Sequence, residues 1–288
     1  MALNFRHCIA VSASCLFAFL GFGPELHRHG VASHEPAHGP LGLSGTDPEA
    51  AWDQLAQGNN RWVTGNTTHP NTTAARVADT AANGQHPIAT VLACSDSRVP
   101  VEMVFDQGVG DVFTIRVAGN VADTDEIASI EYGVEHLGTP VLVVLGHTGC
   151  GAVTAVCSGA ELHGSIPELL SEVKEVVDEE RGRFLGTSAN VDLIAHCVRA
   201  NVYRSMADIL RRSPGVRDRV QQGKTKLVGA IYDLATGKVQ QIGQHPAEAA
   251  LLGEQPDHGT QGDGKAKLDE RLRRQPSAGS PPASPGHR

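Results

Sequence analysis

The chain has 288 residues, of which 40% are hydrophobic, 19% charged and 4% aromatic, and its formal net charge is −8. This composition excludes a collagen-like chain, a multi-span membrane protein and a chain that is disordered throughout. The negative charge lies within residues 44–246, which hold 24 acids and 16 bases, whereas both ends are neutral. An acidic body without a basic stripe excludes nucleic acid as the main partner and docking on anionic lipid.

Residues 1–23 have the features of a targeting segment. Arg6 precedes an apolar run, Cys8–Phe22, that is too short to span a bilayer, and small residues that suit a signal peptidase follow. We therefore expect a leader, a periplasmic or secreted protein, and no stable membrane insertion after processing; the alternative is a cytoplasmic protein. Residues 24–43 carry four histidines among Pro and Gly. They predict a solvated linker, with weak metal binding as the alternative.

An amphipathic helix is predicted near residue 48. Thr46 and Glu49 match a capping box, and Pro48 suits the first helical turn. The apolar residues that then recur at helical spacing are Trp52, Leu55 and Trp62.

Four short apolar runs predict buried strands. In chain order they are Ile88–Ala93, Asp111–Arg116, Val141–Gly146 and Leu227–Asp233. Three of these runs are apolar rather than alternating, which is typical of strands that are covered on both faces. Helical patterns separate the strands, so the fold class is predicted to be α/β, with a central parallel-rich β-sheet flanked by helices.

Two apolar stripes define the helical patterns. The first consists of Ile127, Ile130, Val134 and Leu137, and the second of Val191, Ile194, Val198, Val202 and Ile209. At about 100° per residue, Tyr132 lies nearly opposite the first stripe. It is therefore either a surface tyrosine or part of a second buried interface, such as that of a dimer.

The last segment, residues 247–288, has few large apolar residues and much Pro, Gly and Ser. Such a segment cannot bury enough apolar surface to offset the entropy lost on ordering, so a disordered polar tail is expected. Length alone suggests about two domains. Without the leader, linker and tail, however, one domain remains, residues 44–246, which is large enough for a single core.

The strongest candidate site lies at the ends of two predicted strands. Cys94 follows the first strand, and His147 follows the third, with Cys150 three residues later. Ligands bind at the carboxyl ends of parallel strands, which is where these side chains are predicted to lie. Two cysteines and one histidine are suitable ligands for a tetrahedral zinc ion, and three protein ligands with an open fourth position are typical of a catalytic zinc site. Arg98 can keep the nearby Asp96 ionised. Asp96 then either accepts a hydrogen bond from metal-bound hydroxide or binds the metal as its fourth ligand.

Other interpretations remain open on the residues alone. Gly146–Gly151 lies between a strand and a helix like a phosphate loop, but its spacing is GxxGxG and no Gly-Lys-Ser/Thr follows. The His-x-x-Cys pair by itself suits a cysteine hydrolase. A structural or bicarbonate-sensing zinc module, with Asp96 in the open position, is the non-catalytic alternative. Cys157 and Cys197 are expected to be buried free thiols, and a disulfide between them is permitted only in an exported protein.

Four blocks of sequence resemble the signature blocks of the β-class carbonic anhydrases. They are ACSDSRVP (Ala93–Pro100), RVAGN (Arg116–Asn120), SIEYGVEHLG (Ser129–Gly138) and VLGHTGCGAV (Val144–Val153). The similarity runs from about Trp52 to Ile242. It implies a β-carbonic anhydrase-like fold with an N-terminal helical arm, one Zn²⁺ per subunit, and reversible hydration of carbon dioxide to bicarbonate and a proton by zinc-bound hydroxide.

The resemblance also implies roles for individual residues. The implied zinc ligands are Cys94, His147 and Cys150. The implied catalytic dyad is Asp96 and Arg98. The implied substrate-binding residues are Gln85, Phe113 and Tyr132. The resemblance further implies a homodimer or tetramer, in which the N-terminal helix packs across the subunit boundary and the neighbouring subunit supplies part of the substrate cleft. A related enzyme that hydrolyses carbon disulfide or carbonyl sulfide on the same scaffold is a further alternative.

Overall fold

The computed structural model describes residues 47–183 and 190–253. Within them, the strands are β1 (Ala89–Cys94), β2 (Val112–Val117), β3 (Val141–His147), β4 (Lys226–Tyr232) and β5 (Val239–Gly243). They form one sheet in the order β2-β1-β3-β4-β5, in which β1 to β4 run parallel and β5 runs antiparallel to β4. The predicted parallel-rich sheet is confirmed, and the four predicted strands match β1 to β4 to within one residue at each end. β5 has no counterpart among the predictions.

Helices cover both faces of this sheet. The described helices are α1 (Pro48–Thr64), α2 (Ala74–Asn83), α3 (Val101–Val104), α4 (Thr124–Glu131), α5 (Gly151–Ser158), α6 (Ile166–Leu169), α7 (Ser171–Arg183), α8 (Asn190–Arg212), α9 (Pro214–Gln221) and α10 (Glu248–Gly253). Val91 of β1 packs in one core with α1 and α3, whereas the adjacent Leu92 packs in a second core with α4, α8, α9 and α10. Successive strand residues point to opposite faces, so both must be apolar, which explains the unbroken apolar runs.

The N-terminus of α1 is capped by Asp47, whose side-chain oxygen accepts the Glu49 N–H at 3.3 Å. The predicted cap, Thr46, is therefore wrong. Pro48 occupies the first helical position, so the residue immediately before it becomes the cap. Trp52 is buried against the sheet of its own chain, which confirms the amphipathic helix. The packing of this helix across a subunit boundary stays a prediction.

The first predicted helical stripe is divided between two kinds of helix. α4 ends at Glu131, and a π-helical turn covers Tyr132–His136. Gly133 in this turn lies directly on the sheet, since a Cβ there would stand 2.3 Å from Thr90 Oγ1. Tyr132 lies off the buried stripe, as predicted, and is 46% exposed.

The folded domain extends beyond its predicted C-terminal boundary. Leu251 of α10 is buried in the core that α8 and α9 share, so the domain reaches at least residue 253 and the predicted tail does not begin at 247. The predicted leader (1–23) and linker (24–43) lie outside the described residues, as do residues 254–288. Among the helices that the structure describes, none is long and apolar enough to cross a membrane.

The contact between α1 and the segment after α3 gives a test of the fold. A Cβ on Gly58 would stand 1.8 Å from the carbonyl oxygen of Phe105. We expect Gly58→Ala to lower the free energy of unfolding by about 2–3 kcal/mol, because the forced movement outweighs the gain in helix propensity. Gly182→Ala on α7, where nothing lies within 4 Å of the added carbon, is the control and should be neutral or stabilising. Urea unfolding followed by circular dichroism compares the two; equal stability would contradict this packing.

Candidate metal centre

Two loops meet at the carboxyl edge of the sheet. Ala93 of β1 pairs with Leu145 of β3 in parallel register, so Cys94 and His147 end neighbouring strands at the same edge. The chain then turns to Cys150, which precedes α5 as its N-terminal cap. The two sulfur atoms and a ring nitrogen of His147 all lie within 4.8 Å of one another, and all three residues are buried. The structure thus brings the three predicted ligands together.

His147 is held in one orientation and one tautomer. Its Nδ1–H donates to the carbonyl oxygen of Thr148 at 3.0 Å, which leaves Nε2 as the unprotonated nitrogen. Nε2 is buried and has no hydrogen-bond partner among the described residues. A buried acceptor without a partner costs free energy. A metal ion would satisfy this lone pair, and one nitrogen with two sulfurs is a donor set that suits zinc.

The two cysteine thiols affect each other's pKa. The neighbouring Cys150 lowers the pKa of Cys94, and the backbone N–H of Gly119 donates to the Cys94 sulfur at 3.3 Å. The neighbouring Cys94 and burial together raise the pKa of Cys150. One thiolate therefore forms readily, whereas the second needs a cation beside it. A divalent metal would supply that positive charge and be neutralised by the two thiolates.

Asp96 and Arg98 form the predicted ion pair. Arg98 Nε donates to Asp96 Oδ1 at 2.9 Å, Nη2 donates to Oδ2 at 2.7 Å, and the Arg98 backbone N–H also donates to Oδ1. These bonds hold the pKa of the Asp96 carboxyl below its usual range, so it is ionised. Asp96 Oδ2 lies 3.9 Å from His147 Nε2, beside the cluster. Because both oxygens are bound to Arg98, this geometry favours the dyad over Asp96 as a fourth ligand.

Arg116, at the end of β2, contributes to the site without having been predicted to. Its guanidinium donates to the carbonyl oxygen of Cys94 at 3.1 Å and to that of Asp96 at 2.6 Å. The backbone that carries the thiol and the carboxylate is thereby fixed to the neighbouring strand. The available signal was a basic residue inside a mainly apolar strand, one residue before its end. Its targets are backbone atoms, however, and no sequence spacing identifies them.

The three predicted substrate-binding residues are only partly brought together. Phe113 on β2 and Tyr132 have ring centroids 5.8 Å apart, and the Tyr132 ring lies 5.5 Å from that of His136. Gln85 is exposed on the segment between α2 and β1. No hydrogen bond joins it to the rings or to the cluster in the part of the chain that the structure describes.

Cys157 and Cys197 are free thiols, as expected, but only Cys197 is buried and Cys157 is half-buried. They lie on α5 and α8, and each thiol affects the pKa of the other. Burial raises the pKa of Cys157, and it raises that of Cys197 to about 12. Both thiols are therefore protonated and poorly reactive near neutral pH.

The geometry also bears on two alternative interpretations of the loop after β3. A cysteine hydrolase needs an accessible, ionised nucleophile, whereas Cys150 is buried and the neighbouring Cys94 and burial raise its pKa. A phosphate loop needs free backbone N–H groups around an anion. Here the loop instead directs His147 and Cys150 into a cluster that contains a thiolate, which would repel a phosphate.

Comparisons with known proteins agree with this geometry. A family model described as "Carbonic anhydrase" matches residues 89–239. "Carbonic anhydrase 2" of Mycobacterium tuberculosis is 37% identical over 197 residues, which cover 68% of this chain and 93% of that protein. A carbonic anhydrase of Mycolicibacterium smegmatis is 37% identical over 199 residues, 69% of this chain and 95% of that protein.

Solved structures show the same relationship. The crystal structure of a β-carbonic anhydrase from Aspergillus fumigatus superposes with a TM-score of 0.56 at 27% identity, and covers 70% of this chain and 97% of that one. A β-carbonic anhydrase from Coccomyxa gives a TM-score of 0.53 at 27% identity, with 68% and 90% covered. The family match spans just over half of the chain, and the relatives match along nearly their whole length. The chain therefore belongs to the β-class carbonic anhydrase family.

Proposed function

We propose that this protein catalyses the reversible hydration of carbon dioxide to bicarbonate and a proton. The observation that carries the proposal is the buried cluster of Cys94, His147 and Cys150 beside an ionised Asp96. Membership of the carbonic anhydrase family supports it. The protein is then a zinc-dependent lyase whose substrates are the small molecules carbon dioxide and bicarbonate.

We assign one Zn²⁺ per subunit to the cluster. Thiolate sulfur and imidazole nitrogen are ligands that zinc prefers, and three protein ligands leave a fourth coordination position open. When bound, zinc lowers the pKa of a coordinated water towards about 7 and so makes hydroxide available at neutral pH. Cys94 and Cys150 balance the charge of the metal, and the bond from His147 to the Thr148 carbonyl presents Nε2 in the ligating tautomer.

Asp96 orients the attacking oxygen in this proposal. An ionised carboxylate only accepts hydrogen bonds, so a hydroxyl beside the cluster turns its proton towards Asp96 and a lone pair towards carbon dioxide. Arg98 binds both carboxylate oxygens and fixes their direction. The same two bonds keep Asp96 from rotating into the cluster, which leaves the fourth position free for chemistry.

Phe113 and Tyr132 are proposed to form the apolar wall of the substrate slot. Their rings contact each other, yet Tyr132 remains half-exposed in the single chain. The family resemblance assigns such an aromatic pair to a boundary with a neighbouring subunit, which would cover the exposed side of Tyr132. Phe113 pairs with Thr90 at the amino end of the sheet, whereas the cluster lies at the carboxyl end. We therefore propose a homodimer or tetramer in which the Phe113–Tyr132 wall and Gln85 of one copy face the cluster of a second copy, where Gln85 hydrogen-bonds bicarbonate.

Export is proposed on the sequence alone. The short apolar run after Arg6 supports a leader, removed before the protein functions in the periplasm or outside the cell. A cytoplasmic location is the alternative. Neither location changes the chemistry of the site.

The first prediction concerns the metal. Cys94→Ala removes one of three ligands, so we expect bound zinc to fall from about one per chain to near zero and carbon dioxide hydration to be lost. Cys197→Ala, in the same core region but outside the cluster, is the matched control and should keep both. Zinc content by elemental analysis, stopped-flow hydration kinetics and circular dichroism would be measured on both. Full activity in a metal-free Cys94→Ala protein would overturn the proposal.

The second prediction separates the dyad from the metal ligands. Asp96→Asn keeps the shape of the side chain but places an amide at the carboxylate position, so we expect kcat to fall about 10²-fold while zinc stays bound. Asp79→Asn is the control, because Asp79 is also ion-paired with an arginine, Arg76, but on α2. Its kinetics should match those of the wild type. Loss of zinc from Asp96→Asn would instead show that Asp96 has a structural role.

A further inference from the structure

Two polar side chains lie on the buried face of α8. Asn201 and Ser205 are one helical turn apart, each is only 1% exposed, and Val198, Val202 and Met206 on the same face are buried as well. A buried amide or hydroxyl costs free energy unless it is hydrogen-bonded. The hydrogen-bond partners of these two side chains therefore explain why polar residues occupy this buried face.

Both side chains bind the turn that follows β2, Ala118–Asn120. Asn201 Nδ2 donates to the carbonyl oxygen of Gly119 at 2.6 Å. The Ser205 hydroxyl donates to the carbonyl oxygen of Asn120 at 2.9 Å and shares its proton with the carbonyl oxygen of Asn201, one turn earlier on α8, at 3.0 Å. Gly119 has φ +78° and Asn120 has φ +45°. Two successive residues in the left-handed region, one of them not glycine, form a conformation that persists only when its surroundings hold it.

The turn Ala118–Asn120 also contacts the metal cluster. The backbone N–H of Gly119 donates to Cys94 Sγ at 3.3 Å. The turn is also packed from the other side, since a Cβ on Gly119 would stand 3.3 Å from the Ala152 Cβ in the first turn of α5. The direction of this N–H is thus set by α8 on one side and by α5 on the other.

We propose that Asn201, assisted by Ser205, is a positioning residue for the Cys94 thiolate. It fixes the peptide on one side of Gly119, so that the N–H on the other side points at the sulfur. An N–H donated to a ligating thiolate withdraws charge from the sulfur, and the metal then keeps more of its own positive charge. The inference rests on the proposed metal site and adds a residue of α8 to it.

The test uses the full chain loaded with zinc or with Co²⁺. Asn201→Leu removes the donor with little change in volume, and Ser205→Ala is a milder second variant that should fold even if the first does not. Thr225→Val is the matched control. Thr225 is equally buried and also donates to a carbonyl oxygen, that of Thr139 at 3.0 Å, but it lies immediately before β4, at the opposite end of the sheet from the cluster.

The proposal predicts effects that a general loss of stability does not produce. In Asn201→Leu we expect zinc release to a chelator to be at least ~10-fold faster. The thiolate-to-cobalt charge-transfer band should move to longer wavelength, because the sulfur carries more charge, and the pH–rate profile should move to higher pH. Ser205→Ala should shift all three in the same direction by less. Thr225→Val should leave them unchanged even where its thermal stability falls equally.

The outcomes separate this inference from the proposed function. If wild-type chain binds Co²⁺ without a thiolate band and lacks hydration activity, the proposed metal site fails and the inference fails with it. If wild type shows both but Asn201→Leu and Ser205→Ala match Thr225→Val in release rate, spectrum and pH profile, the metal site stands and the positioning role is overturned.

Discussion

The parallel pairing of β1 with β3 is the contact on which the rest of the site depends. It makes Cys94 and His147 end side by side, so a loop of two residues suffices to add Cys150. A sheet that is apolar on both faces has no inside–outside alternation to fix its register. Instead, the register is specified by a buried hydrogen bond at the amino end of the sheet, which joins the Thr90 and Thr139 hydroxyls at 2.9 Å. A slip would leave both hydroxyls without partners.

From that pairing outward, each neighbouring element holds the backbone of the site rather than its reactive atoms. Arg116 of β2 binds the carbonyl oxygen of the last residue of β1 and one in the loop after it, and Asn201 of α8 binds a carbonyl oxygen of the turn after β2. The reactive groups, Asp96 among them, are then oriented by backbone that cannot easily rearrange. A site whose dipoles are fixed in advance does not have to reorganise during reaction, which is a main source of catalytic power in enzymes.

The sequence predicts the parts of the molecule that depend on local pattern and fails where a contact is long-range. Strands β1 to β4 are apolar runs and were found to within one residue. β5 reads VQQIG, is half-exposed, and has too few apolar residues to be recognised. α2 buries no residue, and it is held through Arg76, whose guanidinium bonds the Val109 carbonyl and Asp111. The contact of Asn201 with Gly119 spans 82 residues, so neither residue predicts the other.

The same features that make the cluster a good metal site make it costly without one. His147 Nε2 is a buried acceptor with no partner in the described chain, and the Cys94 thiolate is a buried charge balanced only by hydrogen bonds. A bound divalent cation removes both penalties at once, and a ligand that binds only the folded state adds its binding free energy to stability. Metal binding at this cluster is therefore coupled to the stability of the fold.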